Sequence, residues 1–230
     1  MNYKRIFFFI GVYAFFVSFF CILNVLYSIY LSFNLDLSSY IISLFISLTF
    51  GSAFCFIGKN QKKNILIEEQ IIVVFSTYTL IPLLISLPYY FSSYDISLLD
   101  SYFESMSGFT STGFSVFKNI RSIDEPLILW RSSSQWLGGL FFLTLLMGTL
   151  GTKRVKIKPV YLVSKASFSE NYYNDFFYNS LKILLIYLFT TILIFFIYIF
   201  AEIRFFDAFN LALTVISSGG FLPTNNLNSV

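Results

Sequence analysis

The sequence lacks histidine entirely and has few charged residues. No histidine occurs among its 230 residues, so the commonest general base and metal ligand of proteins is absent. Charged residues make up 12% of the chain, whereas soluble domains typically contain roughly 25%. The sequence also shows no nucleophile elbow, no metal-ligand cluster and no carboxylate dyad. We therefore expect neither an enzyme nor a resident cofactor.

Cysteine is scarce as well. The two cysteines, Cys21 and Cys55, each fall inside an apolar stretch. This placement indicates packed or lipid-facing side chains rather than a disulfide framework or a metal site.

Apolar residues are abundant. Hydrophobic residues make up 57% of the chain, with 31 Phe and 16 Tyr. They concentrate in five runs, each of which reaches the roughly 20 residues that a helix needs to cross a bilayer. The first run is too long for the core of a cleavable signal peptide and lacks a cleavage site, which favours a retained span. The sequence therefore predicts an all-α integral membrane protein with spans at residues 6–33, 37–57, 68–91, 126–150 and 176–200.

Lysine and arginine are distributed unevenly between the connections. With the N-terminus in the cytoplasm, 11 of the 15 basic residues fall in inside segments, as the positive-inside rule requires. Eight of the twelve acidic residues then fall on the outer side, where they either concentrate cations or are ordinary solvated loop charges. We expect a multi-pass protein of the cytoplasmic (inner) membrane, with an N-terminus in the cytoplasm.

The chain contains an internal repeat. Residues 100–114 align without a gap with residues 207–221 at an offset of 107, and the preceding spans follow the same offset. Each unit reads as a span, a short amphipathic helix, a hydroxyl-Gly-Phe loop and a further span. We expect the two short helices at about residues 98–109 and 205–216.

The repeat divides the chain into four parts. The closing span of the second unit would fall at about residues 233–257, beyond Val230. The expected parts are an N-terminal pair of transmembrane helices at 1–64, a first complete unit at 65–152, a basic cytoplasmic loop at 153–175 and a second unit at 176–230 that lacks its final span.

The two repeated loops indicate a path for ions. They place hydroxyl groups and glycine between apolar spans, where irregular backbone is tolerated only if it is buried in protein or lines a water-filled path. Backbone carbonyls can replace the hydration shell of a cation, glycine permits the backbone angles that turn carbonyls inward, and the C-terminal end of a helix favours a nearby cation. The alternative is a helix C-cap followed by a surface turn. The expected filter residues are Thr110, Ser111, Thr112, Gly113 and Phe114 in the first loop and Ser217, Ser218, Gly219, Gly220 and Phe221 in the second.

One charged residue lies inside a predicted span. Arg131 lies about five residues into the fourth span, or about 7.5 Å deep at the helical rise of 1.5 Å per residue. It either extends to the outer interface or forms a structural ion pair with Glu104 or Asp100. An ion pair would brace the first short helix against the span.

Several of these motifs resemble a known family. Residues 104–114, 129–132, 135–139 and 216–221 resemble the membrane subunits of TrkH/KtrB-type potassium transporters, and the two N-terminal spans look like the extra helix pair of the TrkH branch. The resemblance implies four span–pore-helix–span units around one pore, with K⁺ as the transported ion. It also implies a homodimer in the lipid bilayer, gated by a cytosolic nucleotide-binding regulatory subunit that could dock on the basic loop. No nucleic-acid partner is expected.

Two functions follow from these observations. The first is potassium uptake across the cytoplasmic membrane, through carbonyl and hydroxyl filter loops, as part of a Trk/Ktr-type system. The second is a truncated, non-transporting membrane fragment of such a transporter. Whether the reading frame continues past Val230 would separate them.

Overall fold

The fold is entirely helical in the residues that the structure describes. These are residues 3–32, 36–58, 67–150 and 172–224 of a computed structural model, and they contain no β-strand. The prediction of an all-α fold is confirmed. The helices are α1 (Tyr3–Tyr30), α2 (Leu37–Gly58), α3 (Ile67–Tyr90), α4 (Leu98–Phe109), α5 (Glu125–Leu150), α6 (Tyr172–Phe200) and α7 (Phe205–Ile216), with a 3₁₀ turn at Ile120–Ser122 before α5.

Four of the described helices, α1, α2, α3 and α6, are long and apolar enough to cross a membrane. Helix α5, which covers the fourth predicted span, has 26 residues, so it meets the length requirement. Its first half carries Arg131, three consecutive serines and Gln135, all of them buried. Polar side chains within a span are expected to face the protein interior, and α5 follows that rule.

Helices α1 and α2 form a tightly packed hairpin. A Cβ atom added at Gly51 would lie 3.2 Å from the carbonyl oxygen of Gly11, so the two backbones nearly touch. The hydroxyl of Ser18 also donates to the hydroxyl of Ser47 at 2.9 Å. Small residues permit such close approach where no hydrophobic force drives helices together in lipid. Residues 33–35 of the predicted turn between these helices lie outside the described part of the chain.

The N-terminal hairpin supports both units of the repeat through α1. The ring of Phe20 packs edge-on against Trp136 of α5, with centroids 5.5 Å apart. The ring of Tyr27 stacks on Phe206 of α7, with centroids 5.8 Å apart. Aromatic pairs at such distances add to the stabilisation from buried area, so α1 ties the first unit to the second.

The backbone repeats at the connections between each span and its short helix. Asp95, between α3 and α4, has a φ of 48°, and Glu202, between α6 and α7, has a φ of 62°. Ser97 and Arg204 are the respective helix N-caps. Both pairs are 107 positions apart. Positive φ is uncommon for residues other than glycine, so its recurrence at the same offset is a structural signature of the repeat.

The connection between α3 and α4 is fastened to the start of α2 and of α5. The Ser93 amide donates to the carboxylate of buried Asp36 at 2.8 Å. The Tyr94 hydroxyl donates to Asp124 Oδ1 at 3.0 Å and accepts from the Asp124 amide at 2.8 Å. Partial burial, with a smaller contribution from the nearby negative charge of Asp36, raises the pKa of Asp124 from 3.8 to about 6.

This raised pKa predicts that Asp124 makes the protein less stable at neutral pH. The folded state binds the proton more tightly than the unfolded state, so the stabilisation present at low pH is lost as the pH rises from about 4 to about 6. Asp124→Asn keeps an oxygen that can accept from Tyr94 but cannot ionise. We expect the variant to melt at a higher temperature than the parent at about pH 7.5 in detergent, with a gap that closes towards pH 4. A gap that does not depend on pH would contradict this assignment.

Candidate functional site

The loops after α4 and α7 begin with the same backbone conformation. The C-cap residues Thr110 and Ser217 share a φ of −87° and a ψ of 0°. The next residues, Ser111 and Ser218, are left-handed with φ of 55° and 56°. The sequence repeat therefore persists as a structural repeat in the residues that matter most for the predicted site.

Both helices end in the same hydrogen-bonded cap. In the first loop, the amides of Ser111 and Thr112 donate to the carbonyls of Gly108 and Ser107, each at 2.9 Å. In the second loop, the amides at positions 218 and 219 donate to the carbonyls at 215 and 214, at 2.9 and 2.8 Å. This is the Schellman pattern, with serine in place of the usual glycine. The C-cap alternative thus describes the end of each helix, and beyond the caps the two loops contact each other.

The two loops meet at their glycines. Gly113 has a φ of 83°, and a Cβ atom added there would lie 2.6 Å from the Cα of Gly220. Conversely, a Cβ atom on Gly220 would lie 3.3 Å from the Cα of Gly113. Gly113 is therefore required both by its left-handed backbone and by space. Gly220 lies outside the left-handed region, so close approach alone accounts for its missing side chain.

Hydroxyl groups brace the first loop from within. The hydroxyls of Thr110 and Thr112 lie 2.7 Å apart, and the Thr110 hydroxyl also donates to the carbonyl of Met106 at 2.8 Å. In the second loop, the Ser217 hydroxyl donates to the carbonyl of Thr214 at 2.9 Å. The phenylalanines that close the two motifs differ: Phe114 is 70% exposed, whereas Phe221 is 2% exposed.

Arg131 forms a buried ion pair with Glu104. Its Nε lies 2.8 Å from Glu104 Oε1, and the two side chains are 2% and 0% exposed. Arg131 therefore does not extend to an interface. Asp100, the other partner considered from the sequence, instead lies in the first turn of α4. Its amide donates to the hydroxyl of the N-cap Ser97 at 3.1 Å, and its carboxylate accepts from that hydroxyl at 2.7 Å. The structure thus brings Arg131 to Glu104 and leaves Asp100 at the start of the short helix.

Glu104 also holds the chain that leaves the first loop. Its carboxylate accepts from the Ser115 hydroxyl at 2.9 Å and from the Val116 amide at 2.8 Å. Arg131 Nη2 donates to the same Ser115 hydroxyl at 3.0 Å. Arg131 Nη1 has no hydrogen-bond partner among the described residues. A buried ion pair is stabilised when further hydrogen bonds satisfy its remaining atoms, and the residues just after Phe114 supply them for the Glu104 carboxylate and for Arg131 Nη2. The pair therefore joins α4, α5 and the exit of the first loop.

The second loop is held by the same face of α5. The guanidinium carbon of Arg131 lies 4.2 Å from the ring centroid of Phe221, in cation–π geometry. One helical turn later, Gln135 Oε1 accepts from the Phe221 amide at 3.3 Å. Gln135 is not among the site residues predicted from the sequence. The sequence feature that points to Gln135 is its four-residue spacing from Arg131, which places both side chains on one face of a helix.

Helix α4 packs so closely against α5 that two glycines at the contact leave no room for a side chain. A Cβ atom on Gly138 would overlap the carbonyl oxygen of Phe109, and one on Gly108 would overlap the hydroxyl of Ser134. Any larger side chain at these two glycines would push the end of α4, and with it the first loop, away from α5. The small residues of α5 thus set the position of the first loop. The polar residues of the same helix set the position of the second loop.

Comparison with known proteins identifies the family. The family model for TrkH, described as a cation transport protein, matches residues 36–229. An uncharacterized cation transporter of Methanocaldococcus jannaschii is 27% identical over 209 residues, which are 91% of this chain and 43% of that protein. The Trk system potassium uptake protein TrkH of Escherichia coli K12 is 26% identical over 182 residues, which are 78% of this chain and 38% of that protein.

A solved structure has the same fold. The crystal structure of the potassium transporter TrkH from Vibrio parahaemolyticus superimposes with a TM-score of 0.78 at 22% identity, covering 98% of this chain and 45% of that one. The chain thus spans less than half the length of these relatives. Because the family model covers most of its residues, the chain is an all-α, multi-pass membrane protein that belongs to the TrkH family of cation transport proteins.

Proposed function

We propose that this chain contributes two filter loops to a pore for potassium uptake in a Trk-type system. The observation that carries the proposal is the contact between Gly113 and Gly220, where a Cβ atom on the first would lie 2.6 Å from the Cα of the second. Two loops that begin with the same backbone conformation and converge on one point are the elements from which a ring of oxygen ligands is built. The names of the E. coli and V. parahaemolyticus relatives support K⁺ as the ion.

The loops offer oxygen ligands and a favourable field. Backbone carbonyls of residues 110–114 and 217–221 would replace part of the hydration shell of K⁺, with the hydroxyls of Thr110 and Thr112 as a brace. Helices α4 and α7 both end at the loops, so their partly negative C-termini would stabilise a cation there by up to about 2 kcal/mol each. Within this chain, the loops supply two segments of a ring that requires several.

The buried pair behind the loops would support them without repelling the ion. A lone buried guanidinium close to the loops would oppose a cation, because charge interactions are strong where water is excluded. The carboxylate of Glu104 lies 2.8 Å from Arg131 and offsets its charge. Arg131 can therefore act as a mechanical anchor for Phe221 and Ser115.

The remaining organisation follows the sequence. We propose an N-terminal helix pair (1–64), a first unit (65–152), a cytoplasmic connection (153–175) and a second unit (176–230), with the loops on the outer side of the inner membrane. Most of the basic connection, residues 151–171, lies outside the described residues. A homodimer and a cytosolic nucleotide-binding subunit remain part of the proposal.

Replacing the glycine at the contact tests the filter assignment. Gly113→Ser combines a left-handed backbone with a Cβ atom 2.6 Å from Gly220, so the loops must move apart. We expect the full-length variant to lose rescue of growth at low potassium in an uptake-deficient host, while its abundance in the membrane is unchanged. Phe142→Leu, at an exposed position on α5, is the control and should grow as the parent does. Normal uptake by Gly113→Ser would exclude this glycine from the filter.

Removing one half of the buried pair tests the anchor. Arg131→Gln leaves the fully buried Glu104 without a counter-charge, which costs about 3–5 kcal/mol in comparable cases. We expect a strong loss of thermal stability in detergent and of uptake, with partial recovery in Arg131→Gln/Glu104→Gln because no uncompensated charge remains.

The control for this buried ion pair is an exposed ion pair in the same chain. Arg204 lies 2.6 Å from Glu125 but is 61% exposed, so Arg204→Gln should change stability by less than about 1 kcal/mol. Equal effects of the two single substitutions, or no recovery in the double variant, would argue against a buried anchor at Arg131.

A further inference from the structure

Gln135 occupies the space that a side chain at position 219 would need. Gln135 is completely buried on α5. A Cβ atom added to Gly219 would meet its Oε1, Cδ and Nε2 atoms before any others, and the contact with Oε1 would be an overlap. These three atoms are the whole terminal amide of Gln135. The fit between the amide and the bare backbone of Gly219 is therefore a direct steric match.

The backbone itself does not require glycine at position 219. Its φ lies outside the left-handed region, in contrast to that of Gly113. The equivalent residue of the first loop, 107 positions earlier, is Thr112, which carries a branched side chain in the same backbone cap. Because a side chain is compatible with the conformation, the Gln135 amide is the group that would have to move if one were added at Gly219.

The two loops are consequently held in different ways. The first is braced internally, by the Thr110 and Thr112 hydroxyls at 2.7 Å. The second has no side chain at position 219, and the side-chain amide of Gln135 packs there. The Oε1 atom of Gln135 accepts a hydrogen bond from the backbone amide of Phe221 at 3.3 Å. The Nε2 group of Gln135 has no hydrogen-bond partner among the described residues, so its acceptor bond and its packing on Gly219 are the contacts that position it.

We propose that Gln135 and Gly219 form a matched pair that positions the second loop and thereby tunes the ion preference of the pore. Gln135 is a positioning residue, because its hydrogen bond goes to the loop backbone rather than to an ion. The part that concerns ion preference rests on the proposed potassium pathway. The steric match between Gln135 and Gly219 does not rest on that pathway, because it is a contact between two residues of this chain. Gln135 belongs to the first unit and Gly219 to the second, so the pair makes the second loop depend on the helix before it.

A size-selective double-mutant cycle in the full-length protein tests the pair. Gly219→Ala adds the Cβ atom that overlaps Gln135, and we expect uptake of Rb⁺ to fall by at least about tenfold. Gln135→Ala opens the space, so Gln135→Ala/Gly219→Ala should recover to within about threefold of Gln135→Ala alone, since coupled neighbours are non-additive. Gln135→Leu leaves the space filled, so Gln135→Leu/Gly219→Ala should not recover. If Gly219→Ala fails to accumulate in the membrane, we expect the amount of each variant in the membrane to show the same pattern of loss and recovery.

The hydrogen bond to Phe221 gives a second readout. Gln135→Leu keeps the volume but removes the acceptor, and we expect the exchange of the Phe221 amide in purified protein to accelerate by about fivefold, the factor that corresponds to one ordinary hydrogen bond. The ratio of Rb⁺ to Na⁺ uptake should change by a similar factor, whereas Phe142→Leu should change neither quantity. A merely structural role would lower abundance and leave this ratio unchanged.

The outcomes separate the two proposals. If Gly219→Ala caused the same defect in the parent protein and in the Gln135→Ala variant, the matched pair would be overturned. Unchanged exchange at Phe221 in Gln135→Leu would overturn it as well. Absence of Rb⁺ uptake by the parent protein would instead contradict the proposed function. In that case the amide exchange and thermal stability of the purified variants would still decide whether Gln135 and Gly219 are matched.

Discussion

The burial of the Arg131 guanidinium constrains the rest of the structure. A helix that carries an arginine, three serines and a glutamine in succession cannot present that stretch to lipid, because charged and polar groups there are expensive to bury without partners. Helix α5 accordingly contacts α1, α3, α4, α6 and α7. The apolar helices α2 and α6, in contrast, expose many of their side chains in this chain. The polar segment of α5 thus lies at the centre of the described helices.

The partners of Arg131 explain how such a residue can lie beside the proposed path for cations. The carboxylate of Glu104 lies 2.8 Å from Arg131 and offsets its charge. The ring face of Phe221 contacts the guanidinium on another side. Both partners are also parts of the site: Glu104 lies on the helix that ends at the first loop, and Phe221 closes the second. The interactions that satisfy the buried charge are therefore the ones that fix the loops, so a single requirement serves stability and geometry together.

The sequence predicted the helices well because their signals are local or repeated. The bounds of α4 and α7 agree with the expected ranges 98–109 and 205–216, since an amphipathic pattern and a shared offset both mark them. The different burial of Phe114 and Phe221, and the role of Gln135, were not predicted. Both depend on which α5 side chains face which loop, and the hydrogen bond from Phe221 joins residues 86 positions apart. A local pattern contains no information on such a contact. The orientation and the division into four parts stay predictions.

The repeat is symmetric in the backbone of its helix caps but not in its support. The C-cap residues and those that follow them share φ and cap hydrogen bonds. Position 112, however, carries a threonine whose hydroxyl braces its own loop, whereas a Cβ atom at position 219 would overlap the Gln135 amide of α5. Two copies that meet at one point cannot both be backed by the same helix in the same way, because α5 follows the first loop and precedes the second in the chain. The difference between Thr112 and Gly219 is therefore a consequence of connectivity. The two proposed filter loops can then differ in sequence while their helix caps keep the same geometry, because each loop is held by different neighbours.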